Sequence, residues 1–137
     1  MKLFRVFSTA VSVVVIDQIV KFLVRYYRPD YPLITITSNT GAAFGLFKNN
    51  SNLLMIIGIA ASIVLIILAF KLPKKEKLAH YSLGLFLGGA IGNVIDRLLF
   101  GGVLDFIDLH FWPIFNIADA ANMIGAIGLV YYLHKKK

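Results

Sequence analysis

The chain has no cysteine, so disulfides, thiolate metal sites and a cysteine nucleophile are all excluded, and the redox state of its compartment is left undetermined. Its three histidines, His80, His110 and His134, are scattered without an H-E-x-x-H pairing, and neither a metal nor another cofactor is expected. Polar surface is scarce as well. With 58% hydrophobic residues in 137 positions, and a mean hydropathy of +0.78, there is room for one domain, residues 1–137, but too little polarity to cover a soluble globule. The composition is that of an integral membrane protein.

What is present is a set of misplaced acids. Five of the seven acidic residues, Asp17, Asp96, Asp105, Asp108 and Asp119, lie in or beside apolar runs. An ionised Asp at the centre of a membrane helix costs roughly 2.5 to 3.5 kcal/mol on insertion scales, so such residues are functional or paired. The clearest span is 53–70, eighteen positions without a charge, against the roughly 20 that cross a bilayer. Three others, about 6–26, 79–99 and 114–133, are interrupted by Asp17 and Lys21, by Asp96 and Arg97, and by Asp119. The expected fold is therefore an all-α membrane protein with four transmembrane helices.

Nine of the fourteen basic residues (Lys2, Arg5, Lys71, Lys74, Lys75, Lys77, Lys135, Lys136 and Lys137) fall on one side if both termini are inside, which predicts cytoplasmic termini. They have no aromatic stacking platform among them, so nucleic acid is not an expected partner. The N-terminus imitates a signal peptide, but it lacks a small-x-small cleavage site and Asp17 interrupts the run, so it is read as a retained span.

The outer connections are about 28–51 and 100–113. The first alternates Ile34, Thr35, Ile36 and Thr37 as a half-buried strand does; the second follows Gly101-Gly102 with branched and aromatic residues that favour another extended piece. A small extracytoplasmic β platform is expected. If Val103 to Asp108 is a strand, Asp105 and Asp108 face opposite ways, and Asp108 points to solvent. Gly84, Gly88 and Gly92 in the third span, and Ala118, Ala121, Gly125 and Gly128 in the fourth, are small-residue faces that suggest these two helices pack together.

Depth decides which acids can meet. The third span runs outward and the fourth inward, so Asp96 falls near an outer end and Asp119 one to two turns in, roughly 7 to 9 Å below the outer surface. Asp105 lies in the connection between them. Two carboxyl groups about 3 Å apart share one proton, leaving a base to activate water and an acid to polarise a carbonyl, the chemistry of aspartic proteases. Asp17 with Lys21, four apart on one helix face, is better read as a structural ion pair, and Asp96 beside Arg97 likewise as a pair or anchor. Asp105 and Asp119 have no adjacent base, and spacing alone leaves them open between catalysis and structure. A Ser38 dyad with Lys21 or Lys48 has nothing to fix its geometry. Rival readings are a small proton-coupled transporter or channel subunit relaying protons through Asp17, Asp96 and Asp119, and a purely structural assembly subunit. A relay, however, would spread carboxylates across the membrane depth.

Five segments in this order resemble the lipoprotein signal peptidase, or signal peptidase II, family: Asp17-Gln18-x-x-Lys21, Asn39-Thr40-Gly41-Ala42-Ala43-Phe44, Gly88-Gly89-Ala90-x-Gly92-Asn93-x-x-Asp96-Arg97, Val103-Leu104-Asp105-Phe106-Ile107-Asp108 and Phe115-Asn116-Ile117-Ala118-Asp119. The resemblance implies a four-span aspartic endopeptidase of the bacterial inner membrane, with its site at the outer leaflet and a short amphipathic segment outside. It also implies removal of signal peptides from prolipoproteins on the amino side of a diacylglyceryl-modified cysteine. Carried over by position, Asp105 and Asp119 are the dyad. Asn116 orients a carboxylate or the substrate backbone, Asn93 and Arg97 bond carbonyls in the cleft, Asp17, Lys21 and Asp96 brace the helices, and Asn39 and Gly41 approach substrate or dyad. The partners implied are the lipidated substrate and membrane lipid, with a monomer expected. Ser38 replaces a frequent Arg, and Ala120 and Asn122 replace a hydroxyl and an aliphatic residue, which bears on loop charge and on packing of the fourth span.

Overall fold

The computed structural model describes residues 1–136; Lys137, one of the bases used to orient the chain, lies outside the described residues. Four helices, α1 (Lys2–Tyr27), α2 (Ser51–Lys71), α3 (Lys77–Phe100) and α4 (Ile117–Lys135), and two strands, β1 (Ile34–Asn39) and β2 (Val103–Ile107), follow the predicted order. Three of the helices, α1, α2 and α3, are long and apolar enough to cross a membrane.

The breaks between elements have local causes. Helix α1 ends at Arg28, whose φ of 46° is left-handed, just before Pro29. Helix α3 ends at Gly101 with φ 72°, a conformation that costs glycine nothing, and its N–H returns to the Arg97 carbonyl at 3.0 Å. At the opposite end of the bundle Lys2 donates from Nζ to the carbonyls of Phe70 (2.7 Å) and Leu72 (3.1 Å), so a cation closes the C-terminus of α2.

Helix α3 is the hub, packed against α1, α2 and α4. Hydrocarbon solvates leucine as well as a protein core does, so close van der Waals contact and polar bonds must hold such helices together. The glycines supply the closeness, and they divide their partners. A methyl group on Gly84 or Gly88 would land on the α1 backbone, at 2.6 Å from the Val6 carbonyl oxygen and 2.7 Å from that of Ala10. Gly89 instead meets Ala118 of α4, Gly92 lies between the Asp17 carboxylate of α1 and Ala118 of α4, and Gly125 meets the α3 backbone at Ser82 and Phe86. The expected α3–α4 pairing is present, but of its three α3 glycines Gly84 and Gly88 face α1 and Gly92 is shared between α1 and α4. Gly89→Ala would collide with the Ala118 carbonyl and the Asn122 amide. It is expected to cost about 1 to 3 kcal/mol, read as a lowered thermal midpoint in detergent, with an unchanged midpoint refuting the contact.

The strands form an antiparallel pair outside the bundle, with Thr37 opposite Asp105, Ser38 opposite Leu104 and Asn39 opposite Val103. Its inner face joins Ile34, Ile36, Leu104 and Phe106 to Val24 of α1. Strand β2 ends one residue before Asp108. That carboxylate accepts from the Thr35 hydroxyl (2.8 Å) and the His110 N–H (2.8 Å), so it is engaged at the surface rather than free in solvent. The Thr35 bond first, then that of His110, holds its pKa below the usual carboxylate value.

The fourth helix corrects an expected boundary. It begins at Ile117 rather than near 114, because Phe115 is bonded back to Ile107 and Asn116 caps the helix. Asp119 is therefore the third residue of α4, in its first turn, and not one to two turns into it.

Candidate active site

The site begins with a buried ionic cluster. Lys21, Asp17 and Asp96 are fully buried, with Lys21 Nζ 2.7 Å from Asp17 and 3.2 Å from Asp96, and Arg25 3.2 Å from Asp96. The expected Asp17–Lys21 pair is present. The expected Asp96–Arg97 pair is not, since adjacent helical residues point about 100° apart, and Asp96 turns to α1 while Arg97 turns to the connection between α1 and α2 and donates to the Gly41 carbonyl at 3.1 Å. Gln18, named in the sequence within the motif Asp17-Gln18-x-x-Lys21, was given no role there, yet its amide donates to both carboxylates, Asp17 at 3.1 Å and Asp96 at 3.0 Å, and to the Gly92 carbonyl at 3.2 Å. Arg25 was also missed. Polar residues at 17, 18, 21 and 25 inside one apolar run were the available signal, since three of the four recur every four positions on one face.

The two acids of this cluster hold the backbone next to the two candidate catalytic acids. Asp96 accepts the N–H of Leu104 at 2.9 Å, and the next residue is Asp105; Asp17 accepts the N–H of Ala118 at 2.9 Å, and the next residue is Asp119. Asp17 thereby satisfies one of the free donors at the start of α4, where a negative charge is also favoured by the helix dipole. Lys21 and Arg25 thus balance two carboxylates that position two others.

Amides link the second pair. Asp105, 2% exposed on β2, accepts from Asn116 Nδ2 at 2.8 Å on one oxygen and from Asn39 Nδ2 at 3.0 Å on the other. Asp119 accepts from Asn93 Nδ2 at 2.8 Å and from the Asn116 N–H at 3.2 Å. Asn116 Oδ1 in turn accepts the Asp119 N–H at 2.8 Å, completing a reciprocal cap of α4. Asn93 Oδ1 accepts from Lys21 and Asn116, each at 3.2 Å, and joins the ionic cluster to both acids. Gly41 donates its N–H to Asn39 Oδ1 at 2.9 Å, which fixes the rotamer of the Asn39 amide facing Asp105.

Asp105 and Asp119 line one cleft of about 420 Å³, together with Asn39, Gly41, Asn93 and Arg97 and an apolar wall that includes Phe86, Trp112 and Met123. Burial, and then the neighbouring Asp119 charge, push the Asp105 pKa up to about 6, against the opposing bonds from Asn39 and Asn116. Asn116, fully buried, lies behind the acids rather than in the cleft wall. Lys21 is held by Asp17, Asp96 and Asn93, so it has no part in a Ser38 dyad.

Two acids, their oxygens held by N–H donors, thus share one cleft among helices long and apolar enough to cross a membrane. The family model described as Signal peptidase (SPase) II matches residues 9–135, and the chain belongs to that family of peptidases. It is 42% identical over 135 residues to the lipoprotein signal peptidase of Moorella thermoacetica, covering 90% of this chain and 89% of the other. To that of Caldanaerobacter subterraneus subsp. tengcongensis it is 44% identical over 131 residues, covering 88% and 90%. A bacterial membrane enzyme solved by the in meso method at 2.3 Å resolution superposes with a TM-score of 0.85 at 34% identity, covering 93% of this chain and 85% of that one.

Proposed function

We propose that the chain is a four-span aspartic endopeptidase that cuts lipid-modified prolipoproteins on the amino side of their diacylglyceryl-cysteine, with Asp105 and Asp119 as the catalytic pair. The convergence of those two carboxylates on one cleft carries the reading. In this arrangement α4 is the fourth span. Both termini are cytoplasmic, which agrees with the contact of Lys2 and Arg5 with the basic α2–α3 connection, and the two strands lie outside.

The substrate's signal helix enters sideways from the bilayer while its acyl chains remain in lipid. One Asp takes a proton from water as the water oxygen bonds to the scissile carbonyl carbon, and the other gives its proton to the carbonyl oxygen. Collapse of the gem-diol breaks the C–N bond, and the proton taken from water passes to the departing cysteine amine. Arg97 and Asn39 reach the cleft as donors to substrate carbonyls or to the carboxylates, and the Asp17, Lys21 and Asp96 cluster holds the pair's backbone. A proton relay is disfavoured because Asp17 and Asp96 are both engaged in ion pairs with Lys21 and Arg25.

The test compares a lipidated precursor with its unlipidated twin. Cleavage of the first alone supports the proposal, and cleavage of neither, with proton flux in liposomes, overturns it. The pH profile adds a sharper check. The active pair carries one proton, and the last is lost as Asp105 ionises, so kcat/KM of the free enzyme is expected to fall as pH rises through about 6. The Asn39 bond favours the ionised form, so Asn39→Ala should move that alkaline limb upward; a downward move would contradict the assignment.

A further inference from the structure

The cleft does not end at Asp105. A second cavity, of about 360 Å³, adjoins it and shares Asn39, Ala42, Asp105, Pro113 and Ile114 as a common wall. Its character differs. Beyond that shared wall the first cavity is lined by Phe86, Met123 and Ala126 from the bundle, and the second, more polar than the first, by the hydroxyl residues Thr37, Ser38 and Thr40, by Lys48 and by Phe44, all from the α1–α2 connection. In the antiparallel pair Thr37 stands directly opposite Asp105, so its side chain leaves the sheet on the same face as the carboxylate.

Lys48 is built into this wall. The backbone of Gly41 passes so close that a Cβ there would lie 3.1 Å from the Lys48 Cα, and the Ala42 N–H donates to the Leu46 carbonyl at 2.7 Å. The Lys48 carbonyl accepts from Asn50 Nδ2 at 3.3 Å, and the next N–H, of Asn49, donates to the Thr40 hydroxyl at 3.2 Å. Both flanks of the lysine are thus tied down. Among the described residues no carboxylate lies within ion-pairing distance of its ammonium group.

Resting on the peptidase reading above, we propose that this outer cavity is the leaving-side subsite, which holds the first residues after the modified cysteine, and that Lys48 makes it prefer an acidic side chain there. Chain direction supplies the first half of the argument. A signal helix that crosses the membrane from inside to outside carries its amino-side residues in the apolar cavity. The residues beyond the cut must pass Asp105 toward water, where the polar cavity lies. The second half is electrostatic. An unpaired cation at a cavity mouth attracts a carboxylate and repels a lysine, and does so less as salt rises.

The experiment uses the full-length protein in vesicles and three lipidated precursors that differ only in the two residues after the cysteine: two Glu, two Gln or two Lys. Wild type is expected to process the Glu precursor about threefold faster in kcat/KM than the Lys precursor at low salt, the size of effect an exposed charge pair gives, with the gap closing at high salt. Lys48→Ala should erase the preference and Lys48→Glu should reverse it, each read as the ratio of kcat/KM for the Glu and Lys precursors within one variant, with the thermal unfolding midpoint in detergent reporting that both variants fold. An unchanged order in Lys48→Glu, or no salt-sensitive preference in wild type, overturns the subsite and leaves the peptidase reading standing. A rate change in the variants that follows the anionic lipid content of the vesicles, equally for all three precursors, assigns Lys48 to the membrane surface and likewise overturns it. Failure of wild type to cut any precursor refutes the underlying peptidase reading and the subsite with it.

Discussion

Asp105→Asn and Asp119→Asn are each expected to lower turnover of a lipidated precursor by about 10³-fold or more, since each removes one half of a proton exchange that supplies roughly that much. The isosteric amide keeps the shape of the site, so the loss should fall on kcat rather than on folding. For Asp105 the expectation goes further. A carboxyl whose pKa is raised to about 6 by burial and by Asp119 binds its proton more tightly folded than unfolded. Its contribution therefore favours folding at pH values below its ordinary value near 4, and turns against folding as pH rises through about 6. An amide carries no charge to bury. Asp105→Asn should thus be inactive and also at least as stable as wild type at neutral pH, a combination seen where a site is held at a cost to stability. Thermal unfolding beside a cleavage assay decides the matter. A variant that retains activity within tenfold of wild type would remove that Asp from the chemistry.

Lys21→Met should produce the largest loss of stability. Lys21, Asp17 and Asp96 are all fully buried, and the lysine sits within 3.2 Å of both carboxylates. Removing it leaves two buried anions with one cation, Arg25, beside the Gln18 amide and the N–H groups of Ala118 and Leu104, an imbalance that costs about 3 to 5 kcal/mol. The same change should reduce activity, because Asp17 and Asp96 anchor the N–H groups of Ala118 and Leu104, each one residue before a candidate catalytic acid, and because Lys21 donates to Asn93 in the cleft wall. Two measurements separate the effects: the unfolding midpoint in detergent, and kcat with KM for the fraction that remains folded. Adding Asp17→Asn should recover part of the stability, since one unpaired charge is removed, but not the activity. If Lys21→Met melts with wild type, the cluster is not what holds these elements in place.

Much of this architecture was legible because membrane insertion constrains sequence so strongly. Apolar runs of 18 to 21 residues announced the helices, and Pro29, Gly101 and the alternation of Ile34 to Thr37 announced where the outer strands begin. Asp17 with Lys21 was readable as a pair because four residues make one turn. The start of α4 was less legible. Ile114 and Phe115 are as apolar as a helical turn would be, and what shortens the helix is a strand-like bond between Phe115 and Ile107, residues eight positions apart, together with the Asn116 cap.

Residue chemistry and order along the chain settled that this is a membrane protein with acids in apolar surroundings, and five ordered motifs pointed to its family. The partner of each polar group was settled only by the tertiary structure. Asp96 lies next to Arg97 in the chain yet is bonded to Lys21 and Arg25 of α1, and Asp105 and Asp119, fourteen positions apart, share one cleft. The reason is geometric. In hydrocarbon a polar group must find a partner within the protein, and the direction a helix gives each side chain, with the close approach its glycines allow, selects which neighbouring element supplies it.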